Sequence, residues 1–387
     1  MKISTMKKID RWLGYPACGL LGLLDLIRPK RKPEKIQRIL VIKFWGMGSL
    51  ILSLPVFKAL REVYPEAELG FATLSRNRSL VELLKISDRT IYLDLRADGF
   101  RIFFRILRFF FQLYQYHPQL VIDLEYLTRF SALASYLSGA GLRVGFHSWD
   151  VWRGELHNLR VPFNPYWHAS KNFLNLVSRA CGKELEFSFN FSLPPDRSAR
   201  QSLDLKLKEK GIGEDERILV VNPNASTIAL ERRWPPEYFV RLIKMILEEN
   251  LGKVILIGAD DEREFVQEIL EQIGDKNSCF SLAGELEIKE LVELLRRAEL
   301  LITNDSGPLH LSSLAGTKTV SFFGPETPQL FGPLGEGHTV LYLGIDCSPC
   351  ITVYNAKTVR CLLSRPECLY GITPQMAFEK VKEALGR

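Results

Sequence analysis

The sequence predicts an α/β protein of two consecutive domains, each built on a parallel sheet. Three observations carry this expectation. Short apolar runs alternate with amphipathic helical patterns from position 38 onward, the rhythm of β-α-β units whose crossovers make strands parallel. The chain has 387 residues, enough for two separate cores. The pattern also pauses at Pro194-Pro195 and then begins again, which places a linker there. The expected divisions are a terminal segment (1–35), a first domain (36–195), a second domain (196–369) and a final helix (370–387) that crosses back to the first domain. Apolar residues make up 46% and charged residues 25%, the balance of a soluble globular protein. A net charge of +6 is modest for this length and does not point to nucleic acid.

The N-terminal segment is the first ambiguous element. Lys7, Lys8 and Arg11 precede an uncharged stretch from Trp12 to Leu24, and Arg28, Lys30, Arg31 and Lys32 follow it. Asp10 and Asp25 bracket the stretch and basic residues stand where a cleavage site would be, which argues against a signal peptide. An interfacial membrane anchor and a helix packed on the protein's own surface both remain open. No run of about 18 uncharged apolar residues occurs, so no transmembrane helix is expected. Seven cysteines without a secretion signal place the chain in the cytoplasm with its thiols reduced.

The first domain opens with an apolar strand, Arg38 to Lys43, then the turn Phe44-Trp45-Gly46-Met47-Gly48-Ser49. A helix from about Leu50 to Val63 follows, with Pro55 near its start and Tyr64-Pro65 as its stop. Ser49 stands where an N-cap is wanted. Glu68 to Ala72 reads as a strand, Asn77 to Leu84 as a helix and Thr90 to Asp94 as a strand. The helix from Phe100 to Tyr116 is apolar over most of its circumference, with Arg101, Arg105 and Arg108 on one face. Contact with anionic lipid and a core helix with one solvated basic face both account for it. A strand from Leu120 to Asp123 ends at Asp123-Leu124-Glu125, where α/β sheets place their reactive groups. A helix from Thr128 to Leu137 and a strand from Arg143 to Phe146 come next. Residues 147–165 read as loop, in which Trp149 and Trp152, with Trp167 and His168 just beyond, are candidates for contact with a ligand. Lys171 to Cys181 is helical.

The second domain repeats the rhythm. A helix from Ser198 to Lys210 leads to a strand, Ile218 to Val221, and the loop Asn222-Pro223-Asn224-Ala225-Ser226. Glu231-Arg232-Arg233-Trp234-Pro235 precedes a helix that Pro236 starts. A strand from Val254 to Ile257 runs into Gly258 and Glu262, and a helix continues to about Ile273. Ser281 to Gly284 is a loop before a helix from Ile288 to Arg297. Leu300 to Ile302 is a strand, Asn304 to Pro308 a turn at its carboxyl end, and Leu309 to Ala315 a helix. A helix start offers free N–H groups and a positive dipole end to an anion, and Ser306 and Gly307 let backbone approach it closely. Asp305 or Ser306 as an ordinary cap accounts for the same residues. His310 lies one turn into that helix, and the strand from Thr319 to Phe323 ends at Gly324-Pro325.

Taken together, Asp305-Ser306-Gly307-Pro308-Leu309-His310 and Phe323-Gly324-Pro325-Glu326-Thr327-Pro328 resemble the C-terminal signature of family 9 glycosyltransferases. These heptosyltransferase-like enzymes carry D-[ST]-G-x-x-H followed by an F-G-P-T-x-P loop. The opening strand, the Gly46-Met47-Gly48 turn and early Pro55 match the N-terminal signature, with Ser49 in place of the Asp that is the proposed base in the family. A serine hydroxyl is a poor base near neutral pH, so Glu125 and Asp123 are the replacement candidates, though an N-cap or a solvated loop carboxylate is the plainer reading of each. Asn222 to Ser226 resembles N-P-G-A-S, with Asn224 for the glycine. The resemblance places Arg232, with Arg233 beside it, on the donor diphosphate and Glu262 on the ribose. It adds Asn224, Ser226, Asp305, Ser306, Gly307, His310, Gly324 and Thr327 to the donor side, and Gly46 and Gly48 to the acceptor-side loop.

The resemblance covers nearly the whole chain. It implies the GT-B architecture, two Rossmann-like domains facing each other across a cleft. It further implies inverting transfer of a sugar, typically heptose from ADP-heptose, to a lipopolysaccharide or other lipid-linked envelope glycan. No metal cofactor is required, and the chain is expected on the cytoplasmic face of the inner membrane as a peripheral protein. Another nucleotide-sugar transferase, an epimerase and a silent nucleotide-sugar binder stay open, because fold does not fix chemistry. Cys347, Cys350, Cys361 and Cys368, spaced C-x2-C-x10-C-x6-C, suit either a structural zinc or reduced, packed thiols.

Overall fold

The computed structural model describes residues 9–27, 33–96, 100–149, 151–225, 229–354 and 360–387. The chain forms two compact units. One comprises Met1–Ser188 with Val353–Ala356, the other Phe189–Thr352 with Lys357–Arg387.

In the first unit, helix α1 (Gly14–Ile27) precedes strand β1 (Arg38–Ile42). Then come α2 (Met47–Ile51), α3 (Leu54–Val63), β2 (Glu68–Leu74), α4 (Arg78–Leu84), β3 (Arg89–Leu93), α5 (Phe100–Tyr116), β4 (Leu120–Asp123), α6 (Arg129–Leu137), β5 (Leu142–His147), β6 (Leu159–Pro162) and α7 (Ala169–Cys181). The strands pair in the order β3-β2-β1-β4-β5-β6, all parallel. β1 and β4 are buried on both faces, which is why they read as unbroken apolar runs. Gly70 on β2 lets α5 seat on the sheet: a Cβ there would fall 2.7 Å from the Tyr116 ring, whose hydroxyl donates to the Glu68 carbonyl at 3.0 Å.

The second unit contains α8 (Arg197–Glu209), β7 (Ile218–Asn222), α9 (Pro236–Glu248), β8 (Lys253–Leu256), α10 (Arg263–Ile273), β9 (Cys279–Ser281) and α11 (Ile288–Arg297). It continues through β10 (Leu300–Asn304), α12 (Gly307–Ala315), β11 (Thr319–Phe323), α13 (Pro328–Phe331), β12 (His338–Tyr342), α14 (Glu367–Tyr370) and α15 (Pro374–Leu385). Its order is β12-β11-β10-β7-β8-β9, again parallel. Trp234 anchors the core. It stacks on Phe322 with centroids 4.2 Å apart, and its indole N–H donates to the Ile372 carbonyl at 2.8 Å.

Several expectations need correction. The first break between units falls after Ser188, not at Pro194-Pro195; residues 189–193 already belong to the second unit, where the Leu193 N–H donates to the Leu314 carbonyl at 3.0 Å. The final helix, expected to cross to the first unit, belongs to the second. Ala377, Phe378 and Val381 of α15 are buried in the second core beside Phe239 and Phe322, the partner their apolar stripe fits. The helix after the first turn is two helices, because the chain turns at Leu52-Ser53 and Pro55 opens a new one. Strands β6, β9 and β12 were not expected. Each is short and lies at or next to a sheet edge, where one-sided burial blurs the apolar signal.

Candidate active site

In the second unit three asparagines tie together the carboxyl ends of β7, β8 and β10. Asn222 Nδ2 donates to Ser306 Oγ at 2.9 Å and to Thr303 Oγ1 at 3.2 Å. Asn224 Nδ2 donates to Asn222 Oδ1 and to the Ile257 carbonyl. Asn304 Nδ2 donates to the carbonyls of Pro223 and Asn224, while its Oδ1 accepts from the Trp234 N–H at 2.8 Å. Amides serve here because each both donates and accepts, and every one is buried. Asn222, Asn224 and Asn304 thus bind the described ends of these loops to one another.

On this frame Arg232 donates to Asp305 Oδ2 at 2.8 Å. Burial alone would depress its guanidinium; the carboxylates of Asp305, Glu326 and Glu231 reverse that and raise its pKa. The arginine is thus a fixed, always-charged fork beside the first turn of α12. That turn presents backbone N–H groups that the helix cannot satisfy internally, next to half-buried Ser306 and Gly307. Arg232 and Arg233 part company: Arg233 lies over the Phe265 ring, 3.9 Å from its centroid. Glu262 Oε2 accepts from the Ala259 N–H at 2.8 Å, holding the carboxylate back toward the Gly258 loop. Its pKa is raised, chiefly by burial. His310 is buried in α12. Ser226 lies outside the described residues.

Some positions have more local roles than the motif suggests. Ser306 precedes α12 but makes no side-chain cap bond; its hydroxyl serves Asn222 and Thr303 instead. Thr327 caps α13 by accepting from the Gln329 N–H. Gly324 is a packing glycine, since a Cβ would fall 2.6 Å from Leu369 Cγ. Asn222, Asn304 and buried Glu326 were passed over in the sequence. Their signal was their place at strand ends, not their residue type.

The four clustered cysteines line one cavity of about 20 Å³ with Glu231 and Pro325. Burial first, and then the neighbouring thiols, push Cys368 up to about 11. Among the described residues no group of three or more His, Cys, Asp or Glu side chains is arranged to hold a metal ion. The loop's visible work is to hold the Gly324-Pro325 turn: the Cys350 and Ile351 N–H groups donate to the Pro325 carbonyl at 3.0 and 2.8 Å.

The first unit's turn is built differently. Glu125 Oε1 accepts from Lys43 Nζ at 3.0 Å and from the N–H groups of Phe44 and Trp45 at 2.6 and 3.0 Å. Asp123 has both oxygens engaged: Oδ1 with the Glu125 N–H, Oδ2 with Ser131 Oγ at 2.7 Å, Arg153 at 3.3 Å and His157 Nε2 at 3.0 Å. Burial would raise the Asp123 carboxyl, and the bonds and charges of His157 and Arg153 hold it below its ordinary range. Ser49 does not cap; α2 begins at Met47, with Gly46 at the N-cap position. Gly46 has φ 84°, a conformation that favours glycine, and Gly48 is the second residue of α2. Lys43, Arg153 and His157 were not foreseen, because their partners are distant in sequence. Trp149 and Trp152 border one cavity of about 110 Å³. Trp167 instead lies under Lys171, and His168 caps α7.

With this geometry in place, the comparisons with known proteins converge. The family model for glycosyltransferase family 9 (heptosyltransferase) matches residues 106–358, well over half of the chain, and the chain belongs to that family of enzymes. A lipooligosaccharide heptosyltransferase 2 of Campylobacter jejuni is 31% identical over 173 residues, 44% of this chain and 51% of the relative. The chain thus spans about half the length of such curated relatives. A lipooligosaccharide heptosyltransferase 2 of Haemophilus ducreyi is 20% identical over 79% of this chain and 89% of its own. Among solved structures, the ADP-heptose lipopolysaccharide heptosyltransferase II of Escherichia coli superposes with a TM-score of 0.69 at 21% identity, covering 90% of this chain and 98% of that one. A family 9 glycosyltransferase from Veillonella parvula gives 0.72 at 20% identity, covering 90% and 97%. These likenesses show the fold: two six-stranded parallel sheets of the GT-B heptosyltransferase kind.

Proposed function

We propose that this protein transfers heptose from ADP-heptose, with inversion, to a lipid-linked glycan of the cell envelope, working at the cytoplasmic surface of the inner membrane. The observation that carries the reading is Arg232, fixed by Asp305 beside the first turn of α12. An acceptor hydroxyl attacks the anomeric carbon, the bond to the diphosphate breaks, and negative charge builds on the departing phosphate. Arg232 and the N–H groups at the start of α12 meet that charge without reorganising, the arrangement that lowers a barrier most. Glu262 is proposed to accept the ribose hydroxyls.

The acceptor proton needs a base, and Glu125 is our proposal. Asp123 is fully buried with both oxygens bonded, and Ser49 has the wrong chemistry. All three hydrogen bonds to the Glu125 side chain go to Oε1, and Oε2 is the oxygen left over among the described residues. Glu125→Gln should lower turnover by about 10²–10⁴-fold and leave donor affinity unchanged; unchanged turnover removes Glu125 from the mechanism.

Calorimetry with ADP, UDP and GDP tests the donor site. ADP should bind best. Arg232→Ala should weaken it about 10–100-fold, the worth of hydrogen bonds to a charged group. Failure of all three nucleotides to bind would remove the transferase reading.

A further inference from the structure

Helix α1 is amphipathic in the wrong sense for a soluble protein. The residues it buries are Gly14, Cys18 and Asp25. Those it turns to solvent include Leu20, Leu23, Leu26 and Ile27, which with Trp12 and Leu13 just before it are 62–81% exposed. The inward side is firmly attached. Asp25 pairs with Arg143 at 2.8 Å. In the helical turn before α1, Asp10 caps α6 by accepting from the Arg129 and Phe130 N–H groups at 3.2 and 2.8 Å. Backbones meet closely as well: a Cβ at Gly22 would fall 2.5 Å from the Gly154 carbonyl oxygen. The helix is therefore part of the domain, and its apolar side is left outward.

Helix α5 repeats the arrangement. Phe109, Leu113 and Tyr116 are buried against the sheet. Phe100, Phe103, Phe104, Leu107, Phe111 and Tyr114 are 46–85% exposed. Their spacing of three and four residues sets all six on one stripe, and that stripe lies opposite the buried one. A core helix needs one apolar face; this one has two. Both α1 and α5 pack against α6, so the two outward faces flank a single helix of the same unit.

We propose that these faces together form one surface that docks onto an anionic lipid bilayer. Charge selects the occupant. Arg11, Arg101, Arg105 and Arg108 are exposed, with Arg105 shared with Asp94. The only carboxylates on the described parts of the two helices and of the turn before α1, Asp25 and Asp10, are turned inward. A second copy would bring arginines against arginines, whereas anionic headgroups complement them. No helix among the described residues is long and apolar enough to cross a membrane, so the side chains insert at the interface and do not span it. The surface stands on exposure and charge alone; only its purpose, holding the enzyme over a lipid-linked acceptor, rests on the proposed function.

The test is co-sedimentation of the full chain with vesicles of phosphatidylcholine alone or mixed with phosphatidylglycerol, with no donor or acceptor present. The wild type should bind the anionic vesicles at least tenfold better than the neutral ones. F103S/F104S/F111S should abolish binding. R101E/R108E should remove the preference for anionic lipid. Both variants change exposed residues, so thermal melting and ADP affinity should stay as in the wild type, which keeps this test separate from that of the donor site. Absence of vesicle binding by the wild type, or equal binding to both vesicle types, overturns the proposal. So does a concentration-dependent dimer that the serine variant dissolves, since a second copy would then cover the face.

Discussion

The two sheets each end in a turn secured by a buried ion pair, and the pairs serve opposite ends. In the first unit Lys43 and Glu125 are 1% and 3% exposed at the side chain, and the pair with its two backbone donors closes the turn after β1. In the second, Arg232 and Asp305 keep 12% and 6% exposure, and the bond aims a cation at a helix start. A buried pair costs desolvation that attraction barely repays. The first pair holds a turn through Glu125 Oε1; the second, under the proposed function, holds a cation for the donor diphosphate. Position at a strand end is common to both, and the two backbone N–H groups on Glu125 Oε1 tell them apart.

The largest expected effect breaks the closed pair. Lys43→Met leaves Glu125 buried without its cation and should cost about 3–5 kcal/mol, read by urea denaturation. A loss below 1 kcal/mol would mean that the turn is held by the backbone bonds alone. Next is Gly324→Ala, whose added methyl meets Leu369. Overpacking should cost about 1–3 kcal/mol while ADP affinity holds; lost affinity at full stability would instead make Gly324 part of the cradle.

Acid should weaken the first unit. Burial and Arg153 hold the His157 imidazole below its ordinary value of 6.5. Below pH 6.5 the unfolded chain therefore takes up a proton that the folded one refuses, and stability falls with pH, by at most about 1.4 kcal/mol per unit for one group. The loss is complete once pH passes the depressed folded value. Asp123, also depressed, adds a loss of the same sign at lower pH. Hydrogen exchange of the first unit at pH 7 and 5 checks this, and protection there that stays the same at both pH values would refute it. The smallest effect belongs to Ser49→Ala. Without a cap bond to lose, stability should shift by less than about 0.5 kcal/mol; a loss near 1 kcal/mol would restore the capping role.

The order of strands and helices was largely legible. β4, β11, α5 and α11 fall where their periodicity placed them, because strands buried on both faces and strongly amphipathic helices carry a dense local signal. The loop from Asn304 to Pro308 was legible as a motif: Asp305, Ser306 and Gly307 do stand at a strand end before a helix. What the sequence by itself determined, then, was the α/β alternation, the strand-end loops and the apolar excess of residues 12–27 and 100–116. Tertiary structure decided the rest. It assigned α15 to the second core, split Arg232 from Arg233, and closed Asp123 against Arg153 and His157. It also settled which side of α1 and α5 faces out. Those outcomes rest on partners dozens of residues away, and local periodicity records that a face is apolar without recording what, if anything, will cover it.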